Sequence, residues 1–250
     1  MRLPESEHLQ RLDPQGWWRG IVRNHVGLLW LGLLATLVAA GTAAQDPIRI
    51  APNHYHLELE NRWVRVLRLK LGPHENVPLH EEPESVVVFL TGAHERLTSP
   101  GKPRQEIAIS AGGVSHFEAS RYVEENLADQ PLEAVVIELK PAAPDSHSAP
   151  WPPPLDPMKL DPMHHSVLFE NSRVRVLRTV LEPHLKGPLH EHPHYVVVYL
   201  TVLHTTMTMA DGRAIDNPRQ PGDVAWRDPL KHVTENIGDQ QAVEIQVELK

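Results

Sequence analysis

The chain has 250 residues, 41% hydrophobic and 5% aromatic, with no cysteine and a formal net charge of −8. Without cysteine there are no disulfides, no thiolate metal sites and no cysteine nucleophile. The acidic balance, with no basic run interleaved with aromatics, argues against a nucleic-acid partner, whereas seventeen histidines favour metal binding.

The first element in chain order is apolar. Residues 26–44 (VGLLWLGLLATLVAAGTAA) carry no charge and follow Arg19 and Arg23. Small residues at Thr42, Ala43 and Ala44 precede Gln45. A basic stretch, an apolar core and a small-residue exit have the form of a secretory signal peptide over residues 1–44. The alternative is a membrane anchor through residues 26–44, because about 19 such residues just span a bilayer. In both cases the folded part is expected outside the cytoplasm, periplasmic or extracellular, with positive charge held inside.

Residues 54–140 and 164–250 are the same sequence twice. At a constant offset of 110, without gaps, 33 of 87 positions are identical. Val64-Arg65-Val66-Leu67-Arg68 returns as Val174 to Arg178, and Pro78-Leu79-His80-Glu81 returns as Pro188 to Glu191. This is a duplicated domain and not a short solenoid repeat. The expected domains are residues 49–140 and 163–250. Between them, residues 141–162 hold eight prolines and predict an extended, semi-rigid linker. Short β-branched runs such as Val86–Leu90 and Val196–Leu200 predict buried strands. Pro100-Gly101 and Ala210-Asp211-Gly212-Arg213 predict hairpin turns. Neither copy has an amphipathic helix longer than two turns, so the class is all-β, a sandwich or barrel in each half.

Where the copies differ, chemistry enters. In a strand, residues two apart share a face, so His190 and His192 project together. An antiparallel neighbour can bring His232 beside them. Three neutral imidazoles suit Fe(II), Mn(II), Ni(II), Cu(II) or Zn(II). Binding is then expected to fade below about pH 6.5, where protons compete for the same nitrogens. The matching positions in copy one are His80, Glu82 and Tyr122, a poor ligand set because a phenol must lose its proton to bind well.

These residues resemble the cupin superfamily. His190-x-His192 matches the histidine pair of its first motif, although Gly187 sits too close to it. Gly222, His232 and Asn236 match the second, with the Gly-to-His distance one residue short and Pro229 where a glycine is expected. The acidic ligand of the first motif has no counterpart, its positions being Val196 and Val197. The wording around His190 is similar to a branch of small bacterial cupin-domain proteins, and the likeness covers about 175 of the 250 residues. It implies a bicupin, two antiparallel jelly-roll barrels packed as an internal pseudo-dimer, with a degenerate first site and a metal held by His190, His192 and His232 in the second.

The resemblance leaves two functions open. One is metal-dependent chemistry on a small molecule, dioxygenase-like or otherwise. The other is a non-catalytic ligand-binding or scaffold protein of the cell envelope, without metal. No general base is assignable, since the candidates for inward positions are apolar (Val196, Val198) or ambiguous (His194, Tyr195). His194 is a further ligand or a surface residue at the barrel mouth. The pairs Arg65/Arg68 and Arg175/Arg178 bind an anionic substrate or form structural ion pairs. Asn126 and Asn236 are expected to fix turns, and Trp226 to pack near the site.

Overall fold

Strand Ser85–Phe89 is buried at every position, and so is its repeat Tyr195–Tyr199. A strand buried on both faces cannot line a barrel whose outside meets water, so something must cover the outer face. In the computed structural model, which describes residues 46–141 and 150–250, each half of the protein covers the other. The apolar segment 26–44, with its signal or anchor reading, lies outside the described residues. Among the described residues no helix is long and apolar enough to cross a membrane.

The first half runs α1 (Pro47–Ile50), β1 (Tyr55–Glu60), β2 (Val64–Leu71), β3 (Asn76–Glu82), β4 (Ser85–Phe89), β5 (Ala93–Thr98), β6 (Gln105–Ile109), β7 (Val114–Phe117), β8 (Ser120–Asn126) and β9 (Leu132–Leu139). The second repeats it as α2 (Pro157–Leu160), β10 (His165–Glu170), β11 (Val174–Leu181), β12 (His190–His192), β13 (Tyr195–Tyr199), β14 (Leu203–Met209), β15 (Ala214–Arg219), β16 (Val224–Arg227), β17 (Leu230–Asn236) and β18 (Ala242–Leu249). Each half is two facing antiparallel sheets. The five-stranded sheets have the order β1-β2-β9-β4-β7 and β10-β11-β18-β13-β16, and the four-stranded sheets β3-β8-β5-β6 and β12-β17-β14-β15. The predicted turns lie between β5 and β6 and between β14 and β15, where Gly101 and Gly212 take φ of +70° and +85°.

The two five-stranded sheets pack back to back. Their outer faces form one shared core, with Val64, Val66, Val86, Val88, Val135 and Ile137 meeting Val174, Val176, Val196, Val198, Ile245 and Val247. This corrects the parity read from the sequence: Val196 and Val198 face the other half, and Tyr195, Val197 and Tyr199 face their own barrel. The same contact removes His194 from the metal site. Its ring packs against Trp63 of the first half and Trp226 of the second, with centroids at 4.9 Å and 5.3 Å.

Asn126 and Asn236 fix turns, as expected. Asn236 Nδ2 donates to the carbonyls of Leu181, Glu182 and Gln240, and its Oδ1 accepts from Gly238 N. Asn126 repeats the pattern with Leu71, Gly72, Gln130 and Ala128. The described end of the linker is strapped to the second barrel. Glu191 N donates to Leu155 O at 2.9 Å. The Trp151 ring lies under Arg175 and Lys250, at 4.7 Å and 4.8 Å.

Shared-core residues carry the stability of both halves. Ile245→Ala should cost about 2–5 kcal/mol through lost transfer energy and a cavity. Ile215→Ala, at a position 44% exposed on β15, should stay within about 0.5 kcal/mol. Urea unfolding of the two variants, followed by tryptophan fluorescence, measures the difference.

Candidate metal centre

β12 and β17 pair with His190 directly opposite His232. His192, two residues on from His190, shares its face. The ring centroids of His190 lie 4.9 Å from His192 and 4.4 Å from His232, and His192 lies 5.5 Å from His232. The structure thus brings His190, His192 and His232 together inside the second barrel and adds a fourth ring. His165, the first residue of β10, sits 5.4 Å from His190. Among the described residues, the group whose ligand atoms all lie within 4.8 Å of one another is His165, His190 and His192. All four histidines are buried.

Three of the rings are held in a way that aims a lone pair inward. His192 Nδ1 donates to Glu248 Oε1 at 2.7 Å, His190 Nδ1 to Pro188 O at 3.0 Å, and His165 Nδ1 to Asp161 O at 3.1 Å. Each partner is an acceptor, so Nδ1 carries the proton and Nε2 is free to bind a metal. His192 Nε2 is buried with no hydrogen-bond partner, a cost that a bound cation would remove. Glu248 is oriented in turn. It accepts from Arg175 Nε at 2.6 Å, and Arg175 reaches Asp156, the N-cap of α2, at 3.0 Å. Burial raises the Glu248 carboxyl, and Arg175 opposes that.

Burial also drives all four imidazoles below their ordinary pKa. For His232 the value is about 2, with burial first and the neighbouring His190, His192 and His165 adding to it. Burial therefore favours the neutral ligand nitrogens, and proton competition begins at lower pH than free histidine suggests.

At the offset of 110 the four rings correspond to Tyr55, His80, Glu82 and Tyr122 of the first barrel. There most of the polar groups pair with one another, although His80 Nε2 and Glu95 Oε1 are buried without a partner. Tyr55 OH donates to Glu124 at 2.7 Å, Tyr122 OH donates to Glu82, and Ser85 Oγ donates to Glu82 at 2.6 Å. Burial and the adjacent carboxylates raise both phenols well above 10.0, so they stay protonated and act as donors. Glu95 lies against Glu124, and burial pushes its carboxyl up to about 7.

The interiors diverge further from the histidines. In the second barrel Tyr195, Tyr199, Asn217, Arg227 and Glu244 line a cavity of about 20 Å³ that reaches His232. Arg227 donates to Tyr199 OH at 3.4 Å and to Asn217 Oδ1 at 3.3 Å, and Glu244 Oε1 accepts from Gln246 at 2.7 Å. Burial raises the Glu244 carboxyl. A second cavity of about 10 Å³ lies beside His165 and His190; each is of the size of a single water. The first barrel has Phe89, Ile107, Phe117 and Ala134 where the second has Tyr199, Asn217, Arg227 and Glu244.

His165, Arg227 and Glu244 were missed in the sequence. The signal for each was its counterpart: Tyr55, Phe117 and Ala134. The arginine pairs mostly resolve as ion pairs. Arg65 meets Asp46 and Glu138, Arg68 meets Glu58 and Glu133, and Arg175 meets Asp156 and Glu248.

No protein-family model matches the chain, and no curated protein is close to it in sequence. Solved structures are similar in fold. AerE from Microcystis aeruginosa is 12% identical, with a TM-score of 0.58 over 83% of this chain and 97% of its own. A tryptophan-to-tyrosine variant of the oxalate decarboxylase of Bacillus subtilis is 15% identical, with a TM-score of 0.53 over 82% of this chain and 71% of its own. Another structure of that enzyme, obtained in work on its Mn(II) centres, is 14% identical, with a TM-score of 0.51 over 78% and 75%. These likenesses show the fold: two antiparallel β-barrels from one duplication, the second holding a histidine cluster whose nitrogens lie close enough to share a metal. The fold of this protein is that of a bicupin.

Two outcomes are expected. Glu248→Gln should weaken metal binding about 10–100-fold by loosening the His192 ring, read by competition with a chromophoric chelator. The second concerns Glu95. Its folded pKa lies above its unfolded value, so the folded state keeps a proton that the unfolded chain has lost, and stability falls as the pH rises from 4.5 towards 7. Glu95→Gln has no such proton to lose. It should exceed the parent in stability by up to about 3 kcal/mol at pH 8 and by little at pH 5, as urea titrations at the two pH values would report.

Proposed function

We propose that the protein is a metal-dependent cupin acting on a small anionic molecule, with one divalent ion of the Fe, Mn, Ni, Cu or Zn class in the second barrel. One observation carries this reading: His192 presents a buried, unpartnered Nε2 while Glu248 holds its Nδ1. His165, His190 and His192 would hold the ion, with His232 beside them. Such an ion supplies Lewis acidity to a bound substrate and, for Fe or Mn, a redox centre.

The chain's own residues prepare the surroundings. Arg227 presents a guanidinium on the cavity wall that reaches His232, where an anionic group is received. Glu244, its carboxyl raised by burial, is the group able to hold and return a proton. Tyr195 and Tyr199 keep their phenolic protons and act as donors, since burial raises both. At the size of a single water each, the cavities exclude bulk water and admit a small substrate only when the side chains around them move aside. We place this chemistry outside the cytoplasm, on the strength of Arg19, Arg23 and the apolar run 26–44.

The tight interior also favours a second reading. In it the protein is a non-catalytic module of the cell envelope, in which no substrate enters. Metal analysis of the untagged full chain tests the first claim: about one ion per chain in the parent, nearly none in His192→Ala, and an unchanged content in Tyr122→Phe. The Mn(II) centres of the oxalate decarboxylase neighbour suggest the probe for the second. The EPR spectrum of the Mn(II)-loaded protein should change on adding oxalate, and Arg227→Leu should remove that change. A spectrum indifferent to small carboxylates supports the non-catalytic reading.

A further inference from the structure

Of the four arginines Arg65, Arg68, Arg175 and Arg178, only Arg178 forms no ion pair among the described residues. Its twin Arg68 is fully engaged: Nε donates to Glu58 at 2.8 Å, one terminal nitrogen to Glu133 at 3.3 Å, and the other to Gly222 O across the seam at 2.6 Å. At the offset of 110, Glu58 becomes Leu168 and Glu133 becomes Val243. Both acidic partners of Arg178 have been replaced by apolar residues. Among the described residues its guanidinium has no carboxylate within 4.0 Å. It nevertheless occupies the same place in the fold. A Cβ on Gly112 would lie 3.4 Å from Arg178, just as one on Gly222 would lie 3.2 Å from Arg68.

Arg178 opens onto a cavity of about 470 Å³ where the two halves meet, near the pseudo-twofold axis. That volume lies in the range of small-molecule sites. The walls include Leu90 from the first half and Leu200, Pro221 and Val243 from the second. The threonine hydroxyls at the rim are already committed. Thr91 accepts from Glu133 N and donates to Pro131 O, and Thr201 does the same with Val243 N and Gln241 O. Glu133 and Gln241 also line the cavity, but Glu133 is paired with Arg68 and Lys70 and Gln241 donates to Glu182, so the cationic group left for a ligand is the Arg178 guanidinium. Around the seam, Arg68, Lys70 and Arg178 face Glu58 and Glu133, three positive charges against two negative in a protein of net charge −8.

We propose that this seam cavity binds an apolar monocarboxylate, its carboxylate on Arg178 and its hydrocarbon part against Leu90, Leu200 and Val243. A planar guanidinium pairs with a carboxylate through two parallel hydrogen bonds. The apolar walls favour a single-charged ligand with a hydrocarbon body over phosphate or a dicarboxylate. The site is separate from the histidines and needs no metal.

Isothermal titration of the full chain with benzoate tests this, with benzamide as the neutral isostere. Benzoate should bind with a dissociation constant below ~10 mM and benzamide at least tenfold more weakly. Arg178→Gln should weaken benzoate at least tenfold. Val243→Glu, which restores the acidic partner seen at Glu133, should do the same, and its folding is checked by circular dichroism. His192→Ala should bind benzoate like the parent, which separates this site from the metal centre. The proposal is overturned by any of three results: no binding to the parent, binding unchanged in Arg178→Gln, or binding lost in His192→Ala.

Discussion

The apolar contact between the two five-stranded sheets sets the orientation of everything else. Once Val196, Val198, Ile245 and Val247 must face the other half, strand alternation sends their neighbours inward. Tyr195, Val197 and Tyr199 line the barrel, and so do Glu244, Gln246 and Glu248. The carboxylate that orients His192 is thus placed by the valines and the isoleucine beside it in the sequence. Hydrophobic burial between the halves is what directs polar side chains into the second barrel.

Duplication gave two copies of that arrangement, and they have drifted in opposite chemical directions. The first barrel filled its ligand positions with phenols and carboxyls that hydrogen-bond to one another over an apolar floor of Phe89, Phe117 and Ala134. The second kept imidazoles and replaced the floor with Arg227, Asn217 and Glu244. Protonated carboxyls favour the first interior and neutral imidazoles the second, so acid acts on them with opposite sign. The outer supports did not drift: Asp46, Arg65 and Glu138 stand as Asp156, Arg175 and Glu248 do.

The fold was legible because two copies agreed on strand runs, turn glycines and the cupin-like spacing. The pairing of His190 with His232 follows from strand parity and antiparallel register, both of which the sequence carries. His165 was hidden because it reaches the cluster from β10, a strand with no motif around it. Arg227 and Glu244 were hidden by an error of parity. Runs such as Tyr195-Val196-Val197-Val198-Tyr199 are apolar on both faces, so periodicity could not say which face was inside. The difference between copies carried that information, since Ala134 against Glu244 and Phe117 against Arg227 mark inward positions where the chemistry changed.

The strap at Trp151 and Leu155 ties the linker to the supports of the histidine cluster. Trp151 rests on Arg175, and Arg175 holds Glu248 against His192. Glu191, between the two motif histidines, is tied to Leu155. At its described end the linker thus touches the histidine cluster at two points, through the arginine that holds the carboxylate behind His192 and through the strand that carries His190 and His192.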